Sequence, residues 1–159
     1  MCVIIDSCCL AMVFDHDNSE HVRFVPVLNW INGKGCMVYG GTKYLEELRK
    51  LPRYLAIVVE LRKLRRAIPI CTEKVDAIAA TLMIEYPDPQ FNDPHIVALV
   101  IASGCAVVCT NDKKAISYLR RVDVFSKRGM GRPSVYRGHK SHHRLCSDSK
   151  IVGACRDRR

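Results

Sequence analysis

The sequence predicts an α/β protein built on a parallel sheet. Two unbroken apolar runs, Cys2-Val3-Ile4-Ile5 and Cys105-Ala106-Val107-Val108-Cys109, have the composition of strands covered on both faces. Strand-like runs also alternate with helix-patterned segments along the chain, the order that brings strands together in parallel. Glycines and prolines fall between these segments rather than within most of them.

The first strand stops at Asp6, and Ser7 is placed to cap a short helix from Cys8 to Phe14. Asp15 to Glu20 is polar and reads as a loop. His21 to Asn32 has a helical pattern, with Pro26 as an obstacle and Gly33 as a stop. A short strand is expected between Gly35 and Gly41, a helix from Thr42 to about Lys50, and a second helix from Tyr54 to Arg66 after Pro52. Ile68 to Cys71 is a strand candidate, and Thr72 opens a helix to about Glu85. The turn-rich Pro87-Asp88-Pro89-Gln90-Phe91 precedes an apolar helix from Asn92 to Ser103, stopped by Gly104. After the Cys105–Cys109 strand come a helix from Lys113 to Arg121 and a last strand over Val122 to Phe125. From Ser126 onward Gly, Arg, His and Ser dominate, so a loosely ordered extension is expected.

Charge divides the chain unevenly. Of the net +9, residues 1–125 contribute +1, from 15 Lys and Arg against 14 Asp and Glu, and residues 126–159 contribute +8. Excess positive charge confined to the last fifth of the chain suits a polyanionic partner, although a solvated tail has the same composition. The most apolar run, Ile96 to Val108, is too short to span a bilayer and is broken by Ser103-Gly104. The start lacks a basic region and a cleavage site, so no signal peptide is expected. Nine cysteines with no Cys-x-x-Cys pair then read as free thiols of a reducing, cytoplasmic setting rather than a zinc knuckle.

Sites in open parallel sheets form beyond the C-terminal ends of strands, which is where Asp6 and Asp112 stand. Asp93 lies in the first turn of the apolar helix, and Glu46-Glu47 lies on the helix after Thr42. Helical phase separates the two glutamates. At about 100° per residue, Tyr44, Leu45, Leu48 and Leu51 share an apolar face, Glu46 projects away from it, and Glu47 falls at its border. Each acid taken alone also has a purely structural role open to it: Asp6 as a cap, Asp93 and Asp112 as acids near helix starts, Glu47 as a partner of Lys43 or Lys50.

Four segments taken in order, Asp6 after its strand, Thr42-Lys43-Tyr44-Leu45-Glu46-Glu47-Leu48, Asn92-Asp93-Pro94-His95-Ile96-Val97-Ala98-Leu99 and Cys109-Thr110-Asn111-Asp112, resemble a PIN (PilT N-terminus) domain over residues 1 to about 125. The resemblance implies a three-layer α/β/α fold with a central parallel sheet. It implies that Asp6, Glu47, Asp93 and Asp112 converge on one or two Mg²⁺ or Mn²⁺ ions, with Thr110 as the small hydroxylated residue beside the last acid. It further implies hydrolysis of RNA to 5′-phosphate and 3′-hydroxyl ends, as in VapC-like toxins of toxin–antitoxin pairs. Hard divalent cations take oxygen ligands, relieve repulsion between clustered carboxylates, and support attack of water on phosphorus. DNA as a substrate, an antitoxin partner and a homodimer are compatible with the same resemblance. The long basic extension after Phe125 departs from the compact toxins.

Lys43 and Lys113 adjoin motif acids, where they can touch substrate phosphates or stand simply as surface lysines. His95 can line the cleft or be structural. His139-x-x-His142-His143-x-x-Cys146 matches no standard zinc spacing. Its setting, with Arg132, Arg137, Lys140 and Arg144, suits a phosphate-tracking arm on which Tyr136 could stack a base. A non-catalytic RNA-binding module on the same fold, or a regulatory subunit, is the competing expectation.

Overall fold

The computed structural model describes residues 2–91 and 94–147. Five parallel strands form one sheet: β1 (Cys2–Ile5), β2 (Cys36–Gly40), β3 (Ala67–Ile70), β4 (Val107–Cys109) and β5 (Ser134–Tyr136), in the order β3-β2-β1-β4-β5. Helices α1 (Leu10–Phe14), α2 (His21–Asn32), α3 (Thr42–Arg49), α4 (Pro52–Lys63), α5 (Thr72–Glu85), α6 (His95–Ser103), α7 (Lys113–Leu119) and α8 (Val122–Ser126) flank it, giving the expected three layers. Both faces of the central strands are covered, which explains why β1 and β4 are apolar without alternation: every residue of each is buried. No helix among the described residues is long and apolar enough to cross a membrane.

The chain runs outward from β1 through β2 to β3, then returns past the starting strand to β4 and β5. The order therefore reverses between β1 and β4, and that pair forms the topological switch point of the sheet. The backbone N–H of Asp6 donates to Cys109 O at 2.9 Å, so the ends of the two strands lie side by side.

Several boundaries differ from those expected. The apolar helix begins at His95 rather than Asn92, with Pro94 as its N-cap. Gly104 ends it in the left-handed conformation at φ 69°. Pro26 lies inside an unbroken α2; Val22, one turn earlier, is exposed, so the carbonyl that loses its partner is on the water side. The largest difference is at the C-terminal part. Val122–Ser126 is a helix, α8, that buries Val124 and Phe125. The last strand is instead Ser134–Tyr136, which pairs Val107 with Ser134 and Cys109 with Tyr136. Residues 127–147 thus supply an edge of the sheet and a 3-10 turn at Lys140–Leu145, where a loosely ordered extension was expected; the rest of that extension, 148–159, lies outside the described residues. Cys8, Cys9, Cys36, Cys71, Cys105, Cys109 and Cys146 are free thiols, whereas Cys2 is engaged in a disulfide.

Candidate metal centre

Asp6 follows β1 directly and is buried, at 5 % exposure. A charged side chain in that position needs hydrogen-bond partners. Thr110, fully buried one residue beyond β4, supplies one: its Oγ1 donates to Asp6 Oδ2 at 2.6 Å. The same Oγ1 accepts the backbone N–H of Asp112 at 3.0 Å. One hydroxyl thereby links the two strand ends across the switch point.

Glu47 is brought to Asp6 by the placement of α3. Gly40 and Gly41 let β2 turn sharply into this helix. A Cβ on Gly40 would lie 2.5 Å from Ile70 O, and one on Gly41, at φ 86°, would lie 2.6 Å from Val75 Cγ1. Asp76 of α5 then caps α3, accepting from Thr42 N at 2.9 Å and Thr42 Oγ1 at 2.6 Å. On the inner face the buried Tyr44 hydroxyl donates to Ile5 O at 2.7 Å, fixing α3 against the end of β1. Glu47 stands three residues further along, on nearly the same face. It is half-buried while Glu46 is exposed, as the helical phase requires. Ser7, expected as a helix cap, donates instead to Glu47 Oε2 at 2.6 Å and lies 3.4 Å from Asp6 Oδ1.

His95 completes the cluster from a third direction. It is the first residue of α6, it is 8 % exposed, and its Nε2 lies 3.7 Å from Glu47 Oε2. Donor atoms of Asp6, Glu47 and His95 all lie within 4.8 Å of one another. Two carboxylates and an imidazole at that spacing are a donor set suited to a divalent cation.

Asp112 has a different immediate task. Its carboxylate is exposed and caps α7, accepting Lys114 N at 2.8 Å, so it adjoins the cluster through Thr110 without entering the three-residue group. Asp93 lies outside the described residues. Lys43 and Lys113 are exposed at the starts of α3 and α7. His95 is the residue whose role the sequence left open; its position on the first turn of an apolar helix, beside a motif acid, was the available signal.

The thiols nearby are held protonated. The hydrogen bond with Cys9, burial and the Asp6 charge all push the Cys8 thiol well above its usual range. A hydrogen bond with Cys109 and burial push up Cys9. Neither is a thiolate nucleophile at neutral pH. The Tyr44 phenol is likewise raised, by burial first and then by Asp6 and Glu47, so it remains a donor to Ile5 O.

β5 runs parallel to β4, so the basic segment after Tyr136 leaves the sheet at the same edge as Asp6 and Thr110. Lys140 and Arg144 are exposed there. Arg137 is half-buried, and its backbone N–H donates to His142 Nδ1 at 2.9 Å. Arg132 donates to Arg120 O at 2.9 Å, closing the end of α7. Tyr136 does not offer a stacking surface. It is fully buried against Phe24, ring centroids 5.7 Å apart, and its hydroxyl donates to Arg23 O at 3.0 Å. A groove of about 550 Å³ between α3 and α4, lined by Leu45, Leu48, Leu55 and Val58 among others, shares no residue with the cluster. Comparison with protein-family models, with characterised proteins and with solved structures finds no match to this chain.

Proposed function

We propose that this protein is a divalent-metal-dependent nuclease that hydrolyses phosphodiester bonds of RNA, in keeping with its resemblance to PIN domains. One observation carries the reading: Asp6, Glu47 and His95 converge within 4.8 Å at the point where the strand order reverses, the usual ligand position of an open parallel sheet. Asp6 and Glu47 would hold Mg²⁺ or Mn²⁺, with Asp112 adjoining them through Thr110 and Asp93, outside the described residues, the further carboxylate that the PIN resemblance implies. Such an ion supplies charge neutralisation at a phosphate and a water acidic enough to attack it. The chain's own residues do the positioning. Thr110 and Ser7 hold the carboxylates of Asp6 and Glu47 in orientation by hydrogen bonds, and a carboxylate oxygen that accepts one hydrogen bond keeps a second lone pair for a ligand. Tyr44 keeps the two acids in register. Lys140 and Arg144, on the same edge of the sheet, give a phosphodiester backbone a cationic track.

The test is cleavage of RNA by the full chain with Mn²⁺ or Mg²⁺, alongside EDTA and Asp6→Asn. Turnover should require the metal, and Asp6→Asn should lower it by about 10²–10³-fold, the range seen when one preorganised electrostatic group is removed. Binding of RNA without metal-dependent turnover would replace the nuclease with the non-catalytic module. Undiminished cleavage by a folded Asp6→Asn protein would move the site elsewhere.

A further inference from the structure

We infer that His95 is a metal ligand, and that its nitrogen makes the centre prefer a first-row transition-metal dication over Mg²⁺. The inference rests on the reading of the Asp6–Glu47–His95 cluster as a metal site and goes beyond it by assigning the third donor and the class of ion. The sequence motifs alone describe an all-carboxylate centre.

Geometry separates a ligand from an ion-pair partner. The 3.7 Å between His95 Nε2 and Glu47 Oε2 exceeds a normal hydrogen bond, for which donor and acceptor lie about 2.7–3.2 Å apart. It does suit two atoms bound to one ion. Donors about 2.1 Å from a common centre are separated by about 3.0 Å when at right angles and about 4.2 Å when opposite. Asp6 belongs to the same group, all three donors lying within 4.8 Å of one another, a spread that side-chain rotation would have to close to about 4.2 Å or less around a single ion. The ring is buried, and it begins a helix whose next residues, Ile96 to Val100, are all buried. The core thus holds the backbone that carries the imidazole, and so fixes where the ring meets the acids.

Donor chemistry then sets the choice of metal. Mg²⁺ favours oxygen and keeps its waters, whereas imidazole suits first-row transition ions. A centre with one nitrogen among its protein donors loses little with Mn²⁺ and more with Mg²⁺.

The experiment is electron spin echo envelope modulation of the full chain loaded with Mn²⁺, with binding of Mn²⁺ and Mg²⁺ measured in parallel. The expected spectrum carries ¹⁴N modulation from imidazole, replaced by a ¹⁵N pattern when the protein is made with ¹⁵N-histidine. His95→Gln should abolish the modulation and weaken Mn²⁺ binding by about tenfold, the lower end of effects on metal-site ligation, while Mg²⁺ binding changes less. His95→Asn provides a second variant, and the wild-type spectrum is informative whether or not either variant folds. Mn²⁺ bound without nitrogen modulation, or with modulation that survives in a folded His95 variant, overturns the assignment of His95 and leaves the carboxylate site standing. Failure of the wild-type protein to bind Mn²⁺ overturns the metal-site reading beneath it.

Discussion

Two corners of the molecule share the C-terminal edge of the sheet and are built in opposite ways. The acidic corner joins residues distant in sequence, Asp6, Glu47 and His95, each held by a different element and tied by buried or half-buried side-chain contacts. The basic corner, Arg137 to Arg144, is largely local. Most of its hydrogen bonds run between near neighbours, such as Arg137 N to His142 Nδ1 and His142 N to His139 O, with Arg23 Nε of α2 donating to Gly138 O at 3.2 Å as a long-range tie, and its outermost cations are exposed. A set of ligands must be accurate in position, because bond lengths to an ion vary little. A cationic track needs only charge density along a surface, because attraction to a polyanion is long-ranged and screened by salt. The first corner should therefore respond to single conservative changes, and the second in proportion to the charge removed.

The largest expected effect lies in the acidic corner and sharpens the contrast within one helix. Glu47→Gln should reduce metal-dependent RNA cleavage by about 10²-fold, whereas Glu46→Gln, identical chemistry on the exposed side of α3, should leave it within about twofold. Initial rates at saturating metal, with circular dichroism to confirm folding, check both. Comparable losses in the two variants would mean that bulk negative charge, not position, is what the site requires.

That pair of glutamates also marks how far the sequence could be read. Helical phase distinguishes Glu47 from Glu46 because the apolar face of α3 must pack inward, and Tyr44 and Leu48 are buried as that phase demands. β1 and β2 were legible for a similar reason: apolar runs bounded by Gly or an acid have few other places to go. β5 was not legible. Ser-Val-Tyr is a three-residue strand among cations, its hydrophobic signal rests largely on Tyr136, and its pairing partner is supplied only by the tertiary edge of β4. Val122-Asp123-Val124-Phe125 failed in the other direction. Its apolar residues fit either period, and burial of Val124 and Phe125 together decides for helix. Within the site, the Asp112 cap on α7 lay within reach of local pattern, since Asp directly before a helix is a favoured N-cap, but no local pattern could have shown that Ser7 would reach Glu47, which depends on where α3 packs.

A smaller effect tests the basic corner. Replacing Lys140 and Arg144 together by alanine should weaken binding of single-stranded RNA and reduce the slope of log affinity against log salt by about 1.4, or about 0.7 per cation removed. Fluorescence anisotropy across a series of NaCl concentrations measures it, with metal withheld to prevent cleavage. The rate at saturating RNA should change little, because neither residue belongs to the cluster. An unchanged slope would make these cations an idle surface and break the division of labour between the two corners.

The smallest effect concerns what holds the basic corner in shape. His142 Nδ1 accepts the Arg137 backbone N–H at 2.9 Å, a role open only to the neutral ring. Burial first, then the nearby charges of His139, Arg137, Arg144 and His143, hold its pKa below the usual histidine value. The unfolded chain therefore takes up this proton more readily than the folded one. The associated stability is fully present above the unfolded pKa of about 6.5 and is lost as pH falls from there through the lower folded value. Protonation removes the acceptor and adds a cation among cations, so the turn after β5 should loosen on the acid side. Asparagine can offer an oxygen near the position of Nδ1 without titrating in this range. Thermal melting at about pH 7.5 and about pH 5.5 should show a smaller acid-side loss for His142→Asn than for the wild-type protein. Other groups that titrate are common to both chains and cancel in the difference. Equal losses would assign the acid sensitivity to those other groups and leave the local hydrogen bonds of the basic corner indifferent to the charge around them.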